Sequence, residues 1–142
     1  MSIRTTGYAH IRLTVTDIKR SRAFYDMIFG FPVAYEWDDD ADEQTKEAMS
    51  FLFGGVIYSF GEHLFGLRPA ASGQDGFDEN RVGLDHLSFA VADASELHLA
   101  LDLLEAHDIP HSGIKDIGAG LILEFRDPDG IALELTSPPA TS

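Results

Sequence analysis

Two histidines and one glutamate are set apart by where they fall. His10 lies in the stretch GYAHIRLTVTD (residues 7–17) and His86 in GLDHLSFAVAD (residues 83–93). Gly7/Gly83, His10/His86, Val15/Val91 and Asp17/Asp93 share one offset of 76 residues. The chain therefore carries an internal repeat, and repeats set folds. A third ligand-type residue, Glu134, interrupts the apolar series Ile131, Leu133, Leu135. In a strand, successive side chains point to opposite faces. Ile11, Leu13 and Val15 then face one way and His10, Arg12 and Thr14 the other. His86 shares its face with Ser88 and Ala90, and Glu134 with Ala132 and Thr136. Two imidazoles and one carboxylate on faces turned away from the apolar side suit a divalent iron, manganese or zinc ion, with positions left open for substrate or water. Alone, each residue reads as an ordinary structural or solvent-facing group; the repeat is what joins them.

The elements that must position these residues follow one order twice. A strand over 9–16 leads through Asp17, a helix N-cap, into a helix carrying Ile18, Phe24, Tyr25, Ile28 and Phe29 and stopped by Gly30. Strands are expected at Val33 to Trp37, Met49 to Phe53, Val56 to Phe60 and His63 to Arg68. The acidic block Asp38 to Glu43 reads as a solvated loop. Residues 70–80, rich in Gly, Ser, Ala and Asp, form the linker. The second half gives a strand over 84–92 and then a capping-box pattern, Asp93 to Glu96. A helix with Leu97, Leu101 and Leu104 on its apolar face runs to near His107. Strands at 111–117, 120–125 and 131–136 follow, then a polar tail from 137 to 142. The sharp turn Asp127-Pro128-Asp129-Gly130 joins the last two strands. The expectation is one α+β domain over 1–142: module one at about 7–70, linker about 70–82, module two about 83–139.

Composition narrows the partners. Ten Lys and Arg against 24 Asp and Glu give a net charge of −14, which repels phosphate backbones and anionic bilayers. Neither nucleic acid nor membrane is an expected partner. There are no cysteines, which excludes disulfides, thiolate ligands and a cysteine nucleophile and accords with a cytoplasmic location.

The strand HIRLTVTD, its repeat HLSFAVAD and the C-terminal FRDPDGIALELTSP resemble the vicinal oxygen chelate superfamily over about residues 7–139. That superfamily includes lactoylglutathione lyase, extradiol dioxygenases, fosfomycin-resistance transferases and bleomycin-binding proteins. The resemblance implies paired βαβββ modules forming curved mixed sheets around a cavity. It also implies a divalent metal (Fe, Mn, Zn or Ni) held by His10, His86 and Glu134, and a homodimer. The modules would pair either within one chain or across subunits. The counterpart of Glu134 in the first half falls at Gly66, which cannot ligate. Lyases of this family usually place a fourth ligand there, so the chain looks like the three-ligand members.

The expected function is a metal-dependent enzyme of the glyoxalase or dioxygenase type, acting on a small organic molecule chelated through its oxygens. Glu134 and Glu124 are the candidate catalytic carboxylates, Glu124 as a general base. Arg12, Ser88 and Arg68 are candidate substrate-binding residues, the arginines either holding a substrate carboxylate or pairing with Glu36, Glu124 or the acidic loop. The stretch Ile114 to Glu124 offers Lys115 as its sole cation, a poor anion site. The alternative is a non-catalytic protein of the bleomycin-resistance type that sequesters a cationic drug. His63 is a weaker ligand candidate, and His98, His107 and His111 are expected at the surface, with Phe51, Phe53 and Phe60 in the core or lining the cavity.

Overall fold

The computed structural model of the protein describes residues 1–140; residues 141 and 142 of the expected tail lie outside them. The chain divides into two compact units, Met1–Asp75 and the remainder from Gly76. Both are α+β and of the βαβββ kind. The first unit contains β1 (His10–Thr14), α1 (Ile18–Ile28), β2 (Val33–Glu36), α2 (Glu43–Ala48), β3 (Val56–Phe60) and β4 (His63–Arg68). The second contains β5 (Leu87–Ala90), α3 (Ala94–Ala106), β6 (His111–Asp116), β7 (Leu121–Arg126) and β8 (Ala132–Ser137). The sheet orders are β1-β4-β3-β2 and β5-β8-β7-β6, the same topology twice. Each unit's first strand lies parallel to its last, and the other pairs are antiparallel.

Both long helices begin at the aspartates singled out by the repeat. Asp17 accepts from the backbone N–H groups of Lys19 and Arg20, and Asp93 from those of Ser95 and Glu96. Each satisfies donors that a helix start leaves unpaired. Gly7 and Gly83, three residues before each histidine, both adopt a backbone that disfavours a side chain, at φ 143° and 147°. The repeat is thus one of conformation as well as sequence.

In the first unit, Leu13 of β1, Val15 just after it, and Phe65 and Leu67 of β4 are buried, as are Val56 and Tyr58 of β3 and Phe24 and Tyr25 of α1. The ring of Tyr25 sits 5.4 Å from that of Phe65. In the second unit Leu97 and Leu104 of α3 are buried, as are Phe89, Leu123, Phe125, Leu133 and Leu135 of the sheet. A buried side chain of this size contributes roughly 1.5–3 kcal/mol. These apolar faces fix strand register, because a slip by one residue would turn every open-face residue inward.

Three expectations need correction. Met49 to Phe53 is not a strand but a 3₁₀ turn over Ser50–Leu52, ending at Phe53 with φ 52°. Leu52 alone of its three residues is buried, while Phe51 and Phe53 are 44% and 58% exposed. Neither of those two rings is core. The acidic block also does more than form a loop: Asp42 accepts from the Thr45 N–H at 2.7 Å and starts α2. The polar tail begins later than expected, since β8 runs through Ser137.

Candidate metal centre and the open faces of the two sheets

The open face of the second sheet is set by strand register. Ser88 of β5 and Glu124 of β7 both pair with Glu134 of β8, so Glu134 stands between them. Two residues along, Thr136 pairs with Ala90 and Ile122. The Thr136 hydroxyl donates to Glu134 Oε1 at 3.0 Å, and its oxygen lies 2.6 Å from Ser88 Oγ. Because the one Thr136 proton goes to the carboxylate, Ser88 is the donor in the second bond. This Ser88–Thr136–Glu134 chain orients a carboxylate whose side chain is only 12% exposed.

His86 precedes β5 and is half exposed. Its Nδ1 lies 2.6 Å from Asp85 Oδ1 and its Nε2 4.0 Å from Glu134 Oε1. The Asp85 hydrogen bond raises the imidazole's pKa; partial burial opposes this, and the Glu134, Asp85 and Glu124 charges add to it. An imidazole that donates from one nitrogen to a carboxylate is fixed in orientation, with the other nitrogen free to ligate. Metal bonds of ~2.1 Å at tetrahedral or octahedral angles set donor atoms ~3.0–3.4 Å apart. The His86–Glu134 pair therefore fits a shared ion after a closing movement smaller than a bond length. Among the described residues, neither unit by itself gathers three His, Asp or Glu side chains able to hold an ion.

An open cavity of about 320 Å³ in the second unit is lined by His86, His111, Ser112, Glu124, Arg126 and Glu134, among others. That is the lower end of the range for small-molecule sites. Glu124 accepts from Lys115 Nζ and Ser112 Oγ, each at 3.1 Å, and these bonds hold its carboxyl below the usual range. Glu124 therefore stands as an ionised, paired carboxylate, a weaker proton acceptor than a general base held near neutrality. Sequence reasoning missed Asp85, Thr136, Ser112 and His111 as site residues. His111, expected on the surface, has a side chain only 19% exposed, lying 3.4 Å from Glu105. Asp85 beside His86, and Thr136 two residues from Glu134 on the same face, were the signals available.

On the first sheet the equivalent positions carry different chemistry. His10 opens β1 and is exposed, on the face shared by Arg12 and Thr14. Arg12 pairs with Gly66, as Ser88 pairs with Glu134, and Thr14 pairs with Arg68, as Ala90 pairs with Thr136. Gly66 is thus the structural counterpart of Glu134. A Cβ there would stand 3.0 Å from Arg12 Cγ, so the arginine stem occupies the space a side chain would take. Arg12 Nη2 donates to the Leu52 carbonyl at 2.8 Å, while its buried Nε has no partner. Arg68 lies over the Phe53 ring, 4.1 Å from its centroid, and Arg12 is 6.0 Å from the same ring. Partial burial, and then the charge of Arg68, lower the Arg12 pKa. Glu36 and Glu124, the carboxylates expected as partners, are engaged by Arg22 and Lys115 instead. His63 places Nδ1 3.0 Å from the Tyr8 carbonyl.

A doubled βαβββ chain with polar residues on both open sheet faces defines a class, and comparison with known proteins gives its family. The model of the "Glyoxalase/Bleomycin resistance protein/Dioxygenase superfamily" matches residues 7–135, and the chain belongs to that superfamily. It is 30% identical over 128 residues to an uncharacterized protein, YaeR, from Escherichia coli, covering 89% of this chain and 92% of that one. Its fold is similar to that of a glyoxylase/bleomycin resistance protein/dioxygenase domain from Frankia sp., with TM-score 0.77, 26% identity and coverage of 98% and 96% of the two chains. A mutant of the fosfomycin resistance protein FosX from Listeria monocytogenes, complexed with Mn(II) and dihydroxypropylphosphonic acid, shares the fold. There the TM-score is 0.72 at 19% identity, covering 95% and 94%. Among the described residues no helix is long and apolar enough to cross a membrane.

Proposed function

We propose that the chain is a divalent-metal-dependent enzyme of the glyoxalase or dioxygenase type that binds a small organic substrate through its oxygens. The observation that carries this reading is the His86–Glu134 pair, with Nε2 and Oε1 4.0 Å apart and each side chain oriented by its own hydrogen-bonded partner. The third ligand is His10, which occupies the repeat position of His86 on the open face of the first sheet. A manganese-bound relative in the same fold supports the choice of a divalent ion. The ion, when bound, supplies Lewis-acid polarisation of a chelated substrate oxygen.

The remaining roles belong to the chain's own side chains. Asp85 holds the His86 ring, and the Ser88–Thr136 hydroxyl pair holds Glu134. Glu124, ionised and tied to Lys115 and Ser112, sets a negative wall beside Glu134 and orients a substrate donor group. This role takes the place of the general-base role expected of Glu124 from sequence. The enzyme works as a homodimer in the cytoplasm.

Calorimetric titration of the chelator-treated protein with Mn(II), Fe(II), Ni(II) and Zn(II) tests the metal reading. A 1:1 site is expected, lost in Glu134→Ala and His10→Ala. Ser88→Ala, which loosens a partner of a ligand rather than a ligand, weakens affinity about 10-fold or more. A protein that binds none of these ions yet binds a cationic planar drug tightly would instead be a sequestering protein, and the enzyme reading would fall.

A further inference from the structure

The open face of the first sheet carries a charge arrangement that the metal site does not use. Arg12 and Arg68 lie on hydrogen-bonded neighbouring strands, two register positions apart on one face. Both are partly exposed and both approach the Phe53 ring. Among the described residues neither has a carboxylate partner. The chain holds 24 acidic residues against 10 basic ones. Three other cations do meet carboxylates: Arg22 pairs with Asp26 and Glu36, Lys115 with Glu124, and Arg126 with Glu79. Two adjacent guanidiniums without a counterion repel one another, and a bound anion would relieve that.

The surroundings keep the pair in place. Gly66 admits the Arg12 stem, and the Leu52 carbonyl takes one of its Nη2 protons, leaving other donors free. Phe53 is held at φ 52°, a backbone that costs a non-glycine residue free energy, yet its ring is 58% exposed rather than buried. Core packing therefore does not account for the ring. The exposed Tyr35 and Phe51 rings pack together with centroids 6.0 Å apart within the same unit.

We propose that Arg12, Arg68 and Phe53 form a binding site for an organic oxyanion, a carboxylate or phosphate carried on an apolar or planar body. The guanidinium forks take the oxyanion through charge-assisted, paired hydrogen bonds, and the exposed aromatic ring takes the body. The first half of the repeat would then recognise the charged end of a ligand. The position of the second half's metal-ligating glutamate is occupied there by glycine.

The site is independent of the metal and is tested without it. Full-length protein in a chelator-containing buffer free of oxyanions is titrated calorimetrically with phenylacetate, phenyl phosphate, acetate, inorganic phosphate and phenethylamine. Phenylacetate or phenyl phosphate should bind more tightly than acetate or inorganic phosphate, and whichever binds better identifies the head group. Phenethylamine, a cation on the same body, should not compete. Arg68→Met should weaken the aromatic anion about 10- to 100-fold, the loss of hydrogen bonds to a charged group, and Arg68→Lys should fall between. In the same buffer Arg68→Met should melt no lower than wild type, since it removes a repulsion. Equal binding by wild type and Arg68→Met, or equal binding of phenylacetate and acetate, would overturn the proposal. A metal titration that succeeds while these fail leaves the metal reading standing, and the converse holds.

Discussion

Adding one methyl group at Gly120 should destabilise the protein more than adding it at Gly66, although both glycines are buried and neither needs a positive φ. A Cβ on Gly120, just before β7, would stand 2.3 Å from the Ser137 carbonyl oxygen of β8. That is roughly 1 Å inside ordinary contact. The obstacle is backbone fixed by the β7–β8 ladder, in which Leu121 pairs with Ser137. It cannot retreat without breaking the end of that central ladder. Overpacking of this kind costs about 1–3 kcal/mol. Replacing glycine returns about 0.4–1 kcal/mol through the unfolded chain. Gly120→Ala should therefore lose about 1–2 kcal/mol net, and at roughly 2–4 °C per kcal/mol its Tm should fall by about 2–8 °C. At Gly66 the nearest atom is Arg12 Cγ at 3.0 Å, then Ile57 Cγ1 at 3.3 Å and Val56 O at 3.4 Å. A flexible arginine stem can give by a few tenths of an ångström, so Gly66→Ala should stay within about 1 kcal/mol of wild type. Urea unfolding followed by far-UV circular dichroism, with both midpoints compared at constant m-value, reads the difference. A Gly66→Ala midpoint at or below that of Gly120→Ala would refute the reasoning, because flexible and rigid obstacles would then be equivalent.

Other perturbations follow from single contacts. Tyr58 donates to Asp26 Oδ1 at 2.7 Å from a fully buried ring; Tyr58→Phe should cost about 1.5–3 kcal/mol in the same unfolding assay, the range for a hydrogen bond to a charged group. Asp93→Ala removes the α3 cap and should cost about 1 kcal/mol, whereas Asp93→Asn should cost less. Leu123→Ala opens a cavity beneath the second sheet and should cost about 2–5 kcal/mol. Hydrogen bonds from Arg126 lower the Glu79 carboxyl to about 2. Its folded pKa is thus depressed, and its contribution to stability is present above the ordinary carboxylate range and lost as pH falls towards 2. In Arg126→Ala, NMR titration should return Glu79 to that range; an unchanged value would show that Arg126 is not the cause.

The fold could be read from sequence because its strongest signals are repeated. His10 and Asp17 bracket β1, His86 and Asp93 bracket β5, and each aspartate caps the helix that follows. Alternation placed Glu134 on the open face because buried Leu133 and Leu135 flank it. The register that sets Gly66 against Arg12 confirmed glycine as the counterpart of Glu134. Alternation failed at Met49 to Phe53, where four apolar residues of five look like a strand but only Leu52 is buried. It also missed α2, whose start is an aspartate hidden inside a run of like charges. Around the candidate site, identities were legible but partners were not. Whether Arg12 met a carboxylate or a carbonyl, or Glu124 met Lys115 or an arginine, depends on side-chain reach across strands. Periodicity carries no such information. His111 was misread for the same reason, since its position after α3 says nothing about the cavity that β6 and β7 form around it.

Each sheet draws all its strands from one half of the chain. Mutation on one open face therefore leaves the hydrogen-bonded scaffold beneath the other untouched. A duplicated ancestor built this way can specialise by halves, one copy turning basic at the very coordinates where its twin keeps an acid. A designed tandem of two second halves would carry the carboxylate twice and the arginine pair nowhere. Grafting that pair back residue by residue would separate what the scaffold contributes from what divergence added.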